Sequence, residues 1–228
     1  MSEATTIARR LALVRMQIRG ECRAAGRSAD DVLLLAVSKQ QPADAVRAAY
    51  AAGQRRFGEN RVQELVAKAR DLADLPELRW HMIGSLQTNK VRELLAVPNL
   101  VLVHSLDRTR LADELQRELE PAGRRLDVLL QIHATDEPTK HGCAPGDAAA
   151  LLEHVRSSCP ALAVTGLMAM GPLEGDPSPT FRRVAALRDE LQRRTGMPLP
   201  VLSLGMSGDL GAAIAAGSTL VRIGTAVF

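Results

Sequence analysis

The chain has 228 residues, 46% of them hydrophobic and 24% charged, with a formal net charge of +3. That composition supports a sizeable core under a polar surface, and the length fits two small domains or one α/β barrel. Aromatic residues make up only 2%, acids and bases are interspersed and no basic block occurs, which argues against a nucleic-acid-binding face.

The first element is a helix, because Ile7, Leu11, Val14, Ile18 and Cys22 recur at steps of three and four. Gly26 and Ser28 stop it. Beyond them the chain alternates. Apolar runs at 31–37, 78–83, 99–104, 126–132, 162–168, 200–204 and 219–223, with a weaker one at 54–57, predict eight strands. Helical patterns fill 42–52, 60–73, 88–96, 107–120, 145–157, 178–195 and 208–216. Pro42 stands near the first position of its helix, where a missing N–H costs little. The stretch GPLEGDPSPT at 171–180 reads as a long exposed loop.

Strand–helix alternation means parallel strands with helical crossovers, and eight such units close into a (β/α)8 TIM barrel. No helix follows the last strand, so the N-terminal helix is expected to cover the seam. The rival architecture is an open doubly wound sheet, but no G-x-G-x-x-G turn follows the first strand. No linker divides the chain, so residues 1–228 are expected to form one domain.

Cys22, Cys143 and Cys159 are widely spaced and form no C-x-x-C pair, which predicts reduced thiols in a cytoplasmic protein. The start MSEATTIARR has no signal-peptide core, and no apolar run reaches membrane-spanning length.

In a parallel barrel the chemistry sits at the C-terminal ends of the strands. Lys39 follows the first strand, and Glu59 and Asn60 follow the second. His81 lies on the third, which ends in GSLQTNK. The fourth ends in His104 and Ser105, and the fifth in His133. The seventh ends in GMSGD, with Met206 and Ser207, and the eighth in Arg222, Gly224 and Thr225. Ser207 could cap the helix behind it, where free N–H groups attract anions. Closure would put strands 7, 8, 1 and 2 on one arc. A phosphate site beside a lysine amine there suits a phosphorylated carbonyl compound.

Each residue also has a plainer reading. Lys39 could be a solvated strand end, Ser207 a simple cap and Arg222 a structural ion-pair partner. Glu59 could support its loop or pair with an arginine. His141-Gly142-Cys143 suggests a thiol nucleophile or a loop coincidence, and the five histidines lack metal-binding spacing. Lysine scarcity favours the amine: only positions 39, 68, 90 and 140 carry one among 29 basic residues. Where arginine supplies ordinary charge, a lysine is wanted for chemistry such as a Schiff base.

Six stretches carry a resemblance: AVSK (36–39), FGEN with VQE (57–60, 62–64), WHMIGSLQTNK (80–90), GLMAM (166–170), LSLGMSGD (202–209) and RIGTAVF (222–228). In this order and spacing the chain resembles the pyridoxal phosphate homeostasis protein family, whose fold is similar to the alanine racemase N-terminal barrel. The resemblance implies that pyridoxal 5′-phosphate is the cofactor, held as an aldimine on Lys39. It implies that Ser207, Gly224 and Thr225 hold the phosphate, that Arg222 faces the pyridine nitrogen and that Asn60 lies near the ring. His81 and Met206 complete the implied cofactor-binding set. Arg61, Leu204 and His133 depart from the family's usual tyrosine, methionine and asparagine.

An arginine at the pyridine nitrogen keeps that nitrogen unprotonated and the cofactor a weak electron sink. A racemase needs a second base on the opposite face, yet the chain stops at Phe228 and its only tyrosine, Tyr50, lies in a helix. The expectation is therefore a carrier acting in cofactor homeostasis and amino-acid and keto-acid balance, without efficient turnover. Its partners would be the cofactor and the apoenzymes that receive it, and the expected state is a monomer. Lys90 and Lys140 are candidates for transient cofactor transfer. The competing expectations are a racemase or other pyridoxal-phosphate enzyme with His81 or His133 as the extra base, and a class I aldolase using Lys39.

Overall fold

The computed structural model describes residues 3–135, 137 and 141–228, so Lys140 lies outside the described residues. Eight parallel strands close into a barrel in sequence order: β1 (Leu33–Val37), β2 (Arg56–Glu59), β3 (Arg79–Met82), β4 (Leu100–Leu106), β5 (Leu126–Gln131), β6 (Leu162–Met168), β7 (Val201–Ser203) and β8 (Leu220–Ile223). β8 pairs with β1 in register, Leu35 opposite Arg222 and Ala36 opposite Ile223. The fold is the expected (β/α)8 barrel, not the open sheet.

Helices α1 (Glu3–Ala24), α2 (Ala43–Ala51), α3 (Val62–Asp71), α4 (Val91–Leu95), α5 (Thr109–Leu119), α6 (Ala148–Ser158), α7 (Ser178–Thr195) and α8 (Leu210–Ala215) surround it. α1 buries Ile7, Leu11, Val14, Ile18 and Cys22, the residues its periodicity selected. It packs on α2 and α8, and so covers the seam where a helix after β8 would lie. Arg27 ties its end to α8, donating to the carbonyls of Ile214 at 2.8 Å and Ser218 at 2.7 Å. Among the described residues, no helix is long and apolar enough to cross a membrane.

Side chains alternate across each strand. On β1, Ala36 packs outward under the helices, whereas Leu35 joins Leu102, Leu129, Met168 and Leu220 inside the barrel. That parity continues to Val37 and Lys39, and on β8 it runs from Leu220 through Arg222 to Gly224.

Several boundaries differ from the sequence-based expectation. β2 begins at Arg56, so Glu59 is a fully buried strand residue, not part of a loop. β4 extends through Leu106, which puts His104 and Ser105 inside the strand. α7 spans Ser178–Thr195 as its helical pattern predicts, so only the stretch read as a loop at 171–180 ends earlier than expected. Pro42 is the residue before α2, not its first turn. The cap of α8 is Asp209, not Ser207, and its carboxylate accepts from the Met206 amide. Each miss sits at an end, where local pattern is weakest.

Candidate functional site

A cleft of about 330 Å3 opens at the C-terminal ends of the strands. Lys39, Asn60, Met206, Ser207, Arg222, Gly224 and Thr225 line it, over a floor that includes Val37, Ile83 and Met168. Seven of the eight expected site residues therefore share one cavity. His81 does not line it.

Lys39 is exposed, and its amine makes no hydrogen bond or ion pair among the described residues. It follows the buried Ser38 in a turn closed by the Gln41 amide on the Ser38 carbonyl at 3.0 Å. Gln40, third in that turn, has φ +61°, the left-handed value a type II turn needs there. Asn60 is brought close by Gly84: a Cβ at Gly84 would stand 2.1 Å from the Asn60 carbonyl oxygen.

The bonds that close the two turns after β7 and β8 use the amides of Met206, Asp209, Val227 and Phe228. The amides of Ser207, Gly208, Gly224 and Thr225 are not among them, and all four residues line the cleft or its edge. Gly224 passes close to β1, where a Cβ would come within 3.2 Å of the Val37 carbonyl oxygen.

Arg222 is 5% exposed and points inward from β8. It donates to the Ser203 carbonyl at 2.6 Å, the Ser203 hydroxyl at 2.7 Å and the Ala169 carbonyl at 3.0 Å. Every one of these acceptors is neutral, and no carboxylate pairs with Arg222 among the described residues. Burial pushes its pKa down to about 10, with Asp209 acting the other way. The group is still a cation at neutral pH, with donors to spare for an acceptor in the cleft.

Behind Arg222 the bonds run on into the barrel. Ser203 Oγ lies 3.0 Å from His104 Nδ1, and His104 Nε2 lies 2.9 Å from His81 Nδ1. Burial holds His81 down to about 3 and His104 well below its ordinary value, so both rings are neutral. His81 is thus an interior group, not a cleft group. His133 lines a separate cavity of about 240 Å3 with Arg183 and Thr135. Lys90 pairs with Glu93 at 2.8 Å. Tyr50 packs among the helices and carries the Arg55 guanidinium 4.1 Å above its ring. Cys143 is buried and its thiol is pushed up to about 11, chiefly by burial, which removes the nucleophile reading of His141-Gly142-Cys143.

One cluster differs from the sequence expectation, because Glu59 pairs with Lys68 and not with an arginine. Glu59 Oε1 accepts from Ser38 Oγ at 2.6 Å and from Lys68 Nζ at 2.7 Å, and Lys68 also donates to the Ser38 carbonyl at 2.6 Å. Burial raises the Glu59 carboxyl against the lowering effect of its Lys68 and Ser38 bonds. The scarcity of lysine could have flagged Lys68, since it applied equally to positions 39 and 68.

A family model described as "Alanine racemase, N-terminal domain" matches residues 16–228. The pyridoxal phosphate homeostasis protein of Pseudomonas aeruginosa is 47% identical over 230 residues, covering 98% of this chain and 95% of that protein. The bovine protein of the same name is 46% identical over 206 residues, covering 86% and 76%. The chain belongs to the pyridoxal phosphate homeostasis protein family. Among solved structures, PipY of Synechococcus elongatus with pyridoxal phosphate bound superposes with a TM-score of 0.85 at 40% identity, covering 97% of this chain and 99% of that one. Alanine racemase from Corynebacterium glutamicum shares the fold, with a TM-score of 0.69 at 18% identity, and this chain covers 60% of it. The homeostasis-family resemblance in the six sequence stretches is thus upheld, and the racemase likeness is one of architecture.

Proposed function

We propose that this chain binds pyridoxal 5′-phosphate in the cleft at the strand ends and holds it covalently on Lys39. The Lys39 amine adds to the aldehyde carbon, a C=N bond forms and one water leaves. The amides and hydroxyls of the Ser207–Gly208 and Gly224–Thr225 turns hold the phosphate. α8 is too short to contribute much dipole, so the turns themselves carry that grip. Arg222 donates to the pyridine nitrogen, and Asn60 sits beside the ring. The observation that carries this reading is Arg222: a buried guanidinium with only neutral partners, opening into the same cavity as an unpaired lysine.

The proposed role is to store the cofactor and release it to apoenzymes, with the protein acting as a monomer. A base-poor cleft supports a carrier over a racemase. Neither His81 nor His133 lines the cavity, and Tyr50 lies on the outer layer. Racemisation needs a proton acceptor on each face of the substrate.

Borohydride reduction of the purified protein, followed by peptide mass mapping, tests the reading. A reduced pyridoxyl adduct on Lys39, absent from Lys39→Ala, is expected. An adduct mapping elsewhere, or a sugar adduct on Lys39, overturns it. Deuterium exchange at Cα across a panel of amino acids tests the carrier role, for which no exchange above background is expected.

A further inference from the structure

Lys39 stands at the second position of a four-residue turn, and helix α3 holds that turn on both sides of it. On the N-terminal side, Lys68 Nζ donates to the Ser38 carbonyl at 2.6 Å, and Glu59 accepts from the Ser38 hydroxyl at 2.6 Å. On the C-terminal side, the Gln40 amide donates to Glu64 Oε2 at 2.9 Å. Glu64 and Lys68 are one helical turn apart, with 3.9 Å between Oε2 and Nζ.

Two features are costly unless they do something. Lys68 and Glu59 form an ion pair with side chains 9% and 0% exposed, and such a pair is rarely more stable than an apolar replacement. The second carboxylate oxygen of Glu59 is buried with no hydrogen-bond partner among the described residues. Gln40 adopts a left-handed backbone although it is not glycine, a conformation that persists where its surroundings impose it. Both features converge on the peptide units that flank Lys39.

We infer that Glu64 and Lys68 are positioning residues for Lys39. Together with Glu59 they clamp the Ser38–Gln41 turn, so that the amine stands over the cleft in the pose needed to add to the cofactor's aldehyde. This inference rests on Lys39 as the attachment residue. The clamp acts on the covalent attachment and leaves the phosphate grip of the opposite turns untouched. A geometric requirement of this kind is steep, because a small displacement of a reacting group costs much of its effective concentration.

The test compares two ligands on the full chain: pyridoxal 5′-phosphate, which has the aldehyde, and pyridoxamine 5′-phosphate, which cannot form a C=N bond with lysine. Glu64→Ala removes the acceptor for Gln40. The double variant Lys68→Met, Glu59→Gln removes the side-chain donor to the Ser38 carbonyl and leaves no buried charge unpaired. Each is expected to weaken pyridoxal phosphate binding by about tenfold, a 1.4 kcal/mol change, while pyridoxamine phosphate binding stays within about twofold. Glu64→Gln keeps an acceptor for the Gln40 amide and is expected to bind both ligands as the parent does. Equal weakening of both ligands would mean a structural role only and would overturn the inference, as would parental binding in Glu64→Ala and the double variant. If Glu64→Ala fails to fold, the double variant decides. Failure of the attachment reading looks different: Lys39→Ala, with Glu59, Glu64 and Lys68 kept, would leave the preference for the aldehyde ligand intact.

Discussion

His81 Nδ1 lies 2.9 Å from His104 Nε2, with both rings buried inside the barrel. One ring must donate and the other accept, so the pair is stable only while neutral. Both groups have depressed pKa values, so their contribution is complete above the ordinary histidine value of 6.5 and is lost as the pH falls towards 3. Over that window the unfolded chain binds protons that the folded chain refuses. Each ring then adds a slope approaching about 1.4 kcal/mol per pH unit. Urea unfolding between pH 7 and 4.5 should show a falling midpoint, and His81→Gln should flatten that fall. An unchanged slope in the variant would show that the rings do not govern it.

Arg222 holds three neutral acceptors together at the ends of β6 and β7. Removing its head in Arg222→Met strands the Ala169 carbonyl and takes one donor each from the Ser203 carbonyl and the Ser203 hydroxyl, which keep the Ala169 amide and His104. A loss of about 2–4 kcal/mol in unfolding free energy is expected, together with weaker binding of pyridoxal phosphate. Arg222→Lys keeps the charge but not the planar fork, and should fall between the two. Thermal unfolding of the ligand-free protein, alongside a cofactor titration, separates the stability effect from the binding effect.

Gly84 is needed for close approach, not for an unusual backbone. In Gly84→Ala the new methyl meets the Asn60 backbone, which must shift. The expected cost is about 1–3 kcal/mol, with looser cofactor binding as Asn60 moves. Gly146→Ala, where nothing lies within 4 Å, serves as the control and should unfold at the parental midpoint.

Cys22, Cys143 and Cys159 are all buried, and each thiol is raised by its burial. Iodoacetamide at pH 8 should leave the native chain unmodified over a time in which the urea-unfolded chain takes up three labels, read by intact mass. Rapid labelling of Cys143 in the native chain would revive the thiol reading.

Much of the candidate site was legible in the residues alone. Strand–helix alternation predicts the parallel barrel, and a barrel sends its chemistry to the strand ends. That logic selected Lys39, Asn60, Ser207, Arg222, Gly224 and Thr225 before any contact was known, because each lies at or just beyond a strand end and reads locally. The six family stretches added Met206 and, less successfully, His81. The N-terminal helix was readable for a similar reason, since its apolar stripe is a property of one segment.

Only the tertiary structure decided what supports those residues. Lys68 meets the Ser38 carbonyl across 30 positions of chain, and His104 meets Ser203 across 99. No periodicity encodes such pairs; they exist because α3 packs against the strands beside β1 and the closed barrel brings β4 and β7 face to face across its interior. Whether a polar side chain is interior or exposed was likewise undecided until the barrel closed. In the sequence His81 looks like a site residue and Glu59 like a loop residue, but the inward parity of β3 and the length of β2 bury them. Position along a strand is local information and survives in the sequence, whereas burial and pairing are set by long-range packing.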